Sequence, residues 1–130
     1  MNEVSPVNAL AGQKSDAGRV LTEAVTRIAG CWDLSNAKLG RIMGLSPATI
    51  SRVRSARSRL DPASKSFEAA QFLLRLFRSL DALLGSDDDA VRRWLATPNL
   101  DLGMPPMERI DTMRGLIEVC DYVDAYRARV

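Results

Sequence analysis

Apolar residues along the chain recur at helical intervals, and no stretch alternates in the way a half-buried strand requires. Val20, Leu21, Ala24, Val25 and Ile28 form one stripe, with Ser15 or Asp16 placed to cap the helix and Gly30 to end it. Residues 1–14 mix Pro6, Gly12 and small polar types without period and read as a flexible tail. Ser35 caps a short segment, Asn36 to Met43, that turns Leu39, Ile42 and Met43 to one side, and Gly44 follows as a left-handed stop. Ser46 and Pro47 supply an N-cap and a first-turn proline for a helix that carries Ile50 and Val53 inward and fades near Ser58.

Asp61-Pro62 breaks the chain before a long helix running from about Ala63 through Leu84. Phe67, Ala70, Leu73, Leu74, Phe77, Leu80, Leu83 and Leu84 make a continuous band, and Phe72 and Leu76 widen it beyond one contact face. Two readings fit so broad a band: a central helix surrounded within one monomer, or a helix shared with a second copy of the chain. Gly85-Ser86 ends it, and Asp87, Asp88 and Asp89 suit the positive end of a helix that continues through Trp94 and Leu95 to Thr97-Pro98-Asn99. After an irregular LDLGMP stretch, Pro106 opens a short helix through Ile110. Asp111 or Thr112 caps the last one, with Met113, Leu116, Ile117, Cys120 and Val123 inward. The expectation is an all-α chain of about seven helices. It divides into a tail (1–14), an N-terminal helical bundle (15–62), a long connecting helix (63–85) and a small C-terminal helical domain (86–130).

Composition agrees with a folded chain of one domain's length, since 46% of its 130 residues are apolar and 26% charged. No apolar run approaches the roughly 18–20 residues of a membrane span, and the first residues lack the order of a signal peptide. A cytoplasmic protein without a membrane partner is expected. There is no histidine, which removes the commonest general base and zinc ligand. Cys31 and Cys120 lie far apart in no metal or redox pattern, and Asp87, Asp88 and Asp89 are better read as a solvated helix start than as a catalytic pair. No enzyme, metal or cofactor is expected.

Net charge is only +2, but its distribution is uneven. Between Asn36 and Lys65, seven basic residues face the single Asp61; from Asp81 to Val130 there are ten acidic and six basic residues. The first half suits a polyanion. Within it, Gly40 is small enough for two helices to cross closely, Gly44 makes the turn, and Leu39, Met43, Leu45, Ile50 and Val53 fill the corner of a helix-turn-helix. With Pro47 to Ser55 as the recognition helix, Ser46, Ala48, Thr49, Ser51 and Arg52 face the groove, Arg52 with the planar guanidinium that suits guanine. Lys38, Arg41, Arg54, Arg57 and Arg59 are expected at phosphates. Binding is expected to be dimeric and salt-sensitive.

The spacing Gly40, Gly44, Leu45, Ile50, Val53 resembles the helix-turn-helix of Xre-like repressors. From Val91 the order Trp94-Leu95, Pro98-Asn99, Leu102-Gly103, Pro106, Ile110, Thr112, Gly115 and Val119 resembles the toxin-binding domain of the Xre/MbcA/ParS-like antitoxins. Each residue also has a structural reason: Trp94 anchors a short helix in the core, and Gly115 suits a close backbone approach. The resemblance implies an antitoxin for a RES-domain toxin, an enzyme that degrades NAD or transfers its ADP-ribose. It also implies a last helix and tail that cover the toxin's active site, and a helix-turn-helix that represses the shared operon. Tyr126, Arg127, Arg129 and the Val130 carboxylate form the tip expected to meet the toxin, although terminal arginines also suit the negative end of any helix. The alternative is a dimeric helix-turn-helix repressor without a toxin partner.

Overall fold

The computed structural model describes residues 6–129, with side chains from Asp16 onward. Seven helices follow in order: α1 (Pro6–Cys31), α2 (Asn36–Met43), α3 (Pro47–Arg54), α4 (Lys65–Leu84), α5 (Asp88–Ala96), α6 (Pro106–Arg109) and α7 (Met113–Ala128). Among the described residues there is no strand, only a single bridge between Asn99 and Met104. None of their helices is long and apolar enough to cross a membrane.

α1 departs from expectation at both ends. It begins at Pro6, not behind Ser15 or Asp16, so residues 6–14 of the expected tail are helical, and residues 1–5 lie outside the described residues. Proline suits a first helical turn, and the helix formers Ala9, Leu10, Ala11, Gln13 and Lys14 outweigh the cost of Gly12. At the other end Asp33 (φ 55°), not Gly30, takes the left-handed conformation, and the Leu34 N–H reaches back to the Ala29 carbonyl at 2.9 Å. That bond closes a Schellman-type end around an aspartate, one of the few side chains that tolerates the geometry.

The α2–α3 corner forms as its residues require. Ser35 and Ser46 cap the two helices by accepting from the Lys38 and Thr49 N–H groups at 3.0 and 3.1 Å. Gly44 is left-handed at φ 70°, and a Cβ at Gly40 would collide with the Leu45 carbonyl oxygen. Leu39, Met43, Ile50 and Val53 are buried in the corner. The chain then returns to α1, where the buried Thr22 hydroxyl donates to the Gly18 carbonyl (2.6 Å) and accepts the Leu60 N–H (3.0 Å).

α4 is the central element. Ser64 caps it, Gly85 ends it, and it packs chiefly against α7 and α1 and also against α2 and α5. Leu73, Leu76 and Leu80 are fully buried, while Phe72, Leu74, Phe77, Leu83 and Leu84 are only partly covered. One continuous core runs from Leu21 in α1 to Val123 in α7, so the two halves share an interior. Gly115 on α7 meets the close approach expected of it, because a Cβ there would fall inside the Arg109 carbonyl.

Candidate nucleic-acid and partner interfaces

α3 presents a short polar face. Ser46, Ala48, Ser51 and Arg52 are exposed and Thr49 is half-buried, while Ile50 and Val53 hold the helix to the core. The side chains brace one another: the Ser46 hydroxyl donates to Thr49 Oγ1 at 2.9 Å, and the Arg52 guanidinium donates to the same oxygen at 3.1 Å. Ser46 also serves as the cap, so its hydroxyl already has partners. This leaves Arg52 as the long cationic side chain at the centre of the face, steadied from one side.

The basic residues expected at phosphates divide. Arg41, Arg57 and Arg59 are exposed; Arg57 donates to the neighbouring Ser55 hydroxyl at 3.1 Å, and Arg41 lies 3.4 Å from Asp111. Arg54 and Lys38 correct the expectation. The Arg54 guanidinium turns inward, donating to the Leu34 carbonyl at 2.8 Å and to Asn36 Oδ1 at 3.2 Å, where it braces the start of α2. Lys38, its side chain only 13% exposed, donates to the Met107 carbonyl and to Asp111, joining α2 to the segment around α6. Both cations are therefore consumed inside the fold.

At the far end, Tyr126 and Arg127 belong to α7 itself and Arg129 caps it, while Val130 lies outside the described residues. Intrahelical bonding carries α7 on to Ala128. Tyr126 is 49% exposed and stands beside Tyr122, their ring centroids 6.4 Å apart. With Leu83, Leu84 and Trp94 they line an apolar cavity of about 300 Å³. Trp94, expected in the core, is half-buried and forms one wall of that cavity.

Arg127 donates to the buried Ser79 hydroxyl at 3.2 Å, and Ser79 donates to Asp124 at 2.7 Å. Arg75 holds the same carboxylate through its Nε at 2.9 Å. Burial alone would raise the Asp124 carboxyl, but the bonds from Ser79 and Arg75 outweigh it and hold the group below the usual carboxylate range. Cys120, buried nearby, is pushed up to about 11, chiefly by burial, and remains a thiol at neutral pH.

The stretch expected to be irregular, between α5 and α6, is a tight built loop. Asn99 Oδ1 accepts the Asp101 and Leu102 N–H groups at 2.9 and 3.2 Å, and the Gly103 N–H returns to the Asn99 carbonyl at 2.8 Å. The Tyr122 hydroxyl donates to Asp101 at 2.7 Å and is held above its ordinary value by that bond. At the tip, Leu100 is fully exposed. Leu100 and Ser79 went unnoticed in the sequence, and Asp111 was read only as an alternative cap for the last helix, not as the partner of Lys38. A serine inside an apolar band and a leucine between Pro-Asn and Asp were the only signals available. Among the described residues no cluster of histidine, cysteine or carboxylate side chains is suited to a metal ion.

A helix-turn-helix with an exposed polar face, joined through one long helix to a second helical module, is the architecture of a DNA-binding protein. Residues 12–78 match the antitoxin Xre-like helix-turn-helix domain, and residues 79–129 match the antitoxin Xre/MbcA/ParS C-terminal toxin-binding domain. The first match alone spans just over half of the chain, which belongs to the Xre/MbcA/ParS-type antitoxins. No curated protein matches it. The protein is thus an antitoxin of a toxin–antitoxin pair, with DNA at its N-terminal half and a toxin at its C-terminal half.

Proposed function

We propose that the toxin is a RES-domain enzyme that consumes NAD, by degrading it or by transferring its ADP-ribose, and that this antitoxin silences it by covering its active site. The covering surface is the end of α7 with its tail: Tyr126, Arg127, Arg129 and Val130. The observation that carries the reading is the state of this end, where Tyr126 stands half in solvent beside the apolar cavity while the rest of α7 is locked to α4. Among the described residues, Leu100, held out on its braced loop, is the other large apolar side chain exposed in this half. A partner with a complementary apolar surface removes both from water. Arg127 and Arg129 add guanidinium groups able to pair with acidic groups around such a site.

At the opposite end, α3 enters the major groove, Arg52 reads guanine, and Arg41, Arg57 and Arg59 reach phosphates, so that a homodimer represses the operon it shares with the toxin. Two half-sites about one helical turn apart match a two-fold protein. The protein itself contributes no catalysis.

Co-expression with a RES-type toxin tests the reading. The full chain is expected to restore growth and to co-purify with the toxin; deletion of residues 126–130 is expected to abolish rescue while DNA binding persists. If the truncated chain still rescues, occlusion by the tail is wrong. If the full chain never engages such a toxin, a dimeric repressor is what remains.

A further inference from the structure

Neither the DNA-facing nor the toxin-facing surface uses the groove between α1 and α4. α1 contributes Val20, Glu23, Ala24 and Arg27, and α4 contributes Leu74, Phe77, Arg78 and Asp81, to a depression of about 540 Å³. On each helix the four positions follow the i, i+3, i+4, i+7 spacing of a single face, the spacing by which helices of a bundle meet further helices. The floor is apolar and incompletely covered: Val20 is 53% exposed, and Leu74 and Phe77 are half-buried.

The rim carries two acidic and two basic side chains. Among the described residues Arg27, Arg78 and Asp81 make no ion pair, and Glu23 pairs only with the exposed Arg19, at 3.5 Å. An apolar floor under mixed, mostly unpaired charges does not suit a polyanion, nor a partner surface of one sign, since half of the rim would then face its own charge. It suits a surface with the same alternation.

The two helices run in the same sense, with Gly18 beside Leu60 near the start of α4 and Trp32 on Phe77, ring centroids 5.9 Å apart, further along. Glu23 and Arg27 therefore occupy successive levels along the groove. A two-fold axis perpendicular to it lays α1 antiparallel on α1 of a second copy and sets each Glu23 across from the other copy's Arg27. Ala24, the smallest side chain of the stripe, lies between them, where the helices come closest.

We propose that this groove is the homodimer interface, its occupant a second copy of the chain, self-complementary in charge about Ala24. The proposal rests on the dimeric reading given above and names the face that reading lacks. It also accounts for the partial exposure of Leu74 and Phe77.

Sedimentation of the full-length protein, without DNA or toxin, decides the matter. The wild type is expected to be a dimer at micromolar concentration, and Glu23→Arg and Arg27→Glu should each weaken self-association by at least about tenfold through paired like charges. Mixing the two variants should restore the dimer, because each introduced charge then meets its opposite. Both sites are exposed, so helical content by circular dichroism should stay at the wild-type value. Dimers that withstand both substitutions, or variants that fail to recover on mixing, would overturn this face while leaving a dimer elsewhere intact. A monomeric wild type at tens of micromolar would overturn the face and the dimer together. Neither result bears on toxin binding.

Discussion

Arg52 and Arg54, separated by one residue, leave α3 on nearly opposite sides, because two helical steps turn through about 200°. One stands in solvent above Thr49 and the other is bonded to the Leu34 carbonyl. Arg52→Ala is expected to cost about 1–3 kcal/mol of operator affinity and to relax selectivity at one base, with folding stability unchanged. Arg54→Ala should do the reverse, lowering stability by about 1–3 kcal/mol while the folded fraction binds DNA as before. Fluorescence anisotropy with operator DNA and urea denaturation, run on both variants, separate the roles. An Arg54→Ala protein of normal stability but weak DNA binding would return that side chain to the phosphate backbone. The sequence places both arginines in one basic run and offers no means of distinguishing them, since Leu34 and Asn36 lie 20 and 18 residues away.

At the level of elements, local chemistry was legible where it is written within a few residues. Ser35 and Ser46 cap the helices they precede and Gly44 and Gly85 end the helices they follow, all four where spacing placed them, while of the two caps offered for the last helix it is Thr112, not Asp111, that accepts the Gly115 N–H. The first turns of α1 were not legible, because a stretch without apolar period still forms helix when its residues favour it. The clasp between α4 and α7 was hidden for another reason: Arg75, Ser79 and Asp124 converge only once the two helices pack. That clasp has a pH signature. Asp124 is held below its ordinary value in the folded protein, so its contribution is complete above the unfolded carboxylate value, about 3.9, and is lost as pH falls through the folded value. The urea midpoint should therefore drop with acidification below about pH 4. Asp124→Asn is expected to lower the midpoint at neutral pH and to flatten the acid limb. An unaltered acid limb in that variant would assign the effect to other carboxylates.

Across the whole molecule, Asp111 is a polar tie between the halves, receiving Lys38 and lying 3.4 Å from Arg41 of α2, and Arg92 of α5 makes a second by donating to the Cys31 carbonyl. Replacing Asp111 removes the carboxylate from a lysine that is only 13% exposed. Asp111→Asn is expected to cost about 1–3 kcal/mol of stability, measured by urea denaturation. DNA affinity at low salt should rise slightly as the field around Arg41 becomes more positive, and an unchanged midpoint would reduce the tie to a surface contact. The covalent connection is equally stiff. The two matched family segments meet between residues 78 and 79, inside α4, with Leu76 and Leu80 fully buried on either side. An engineer who joined the reading head of this antitoxin to the business end of a cousin at that border would splice a helix through its most enclosed span, so a working hybrid must inherit α1, α4 and α7 from a single parent.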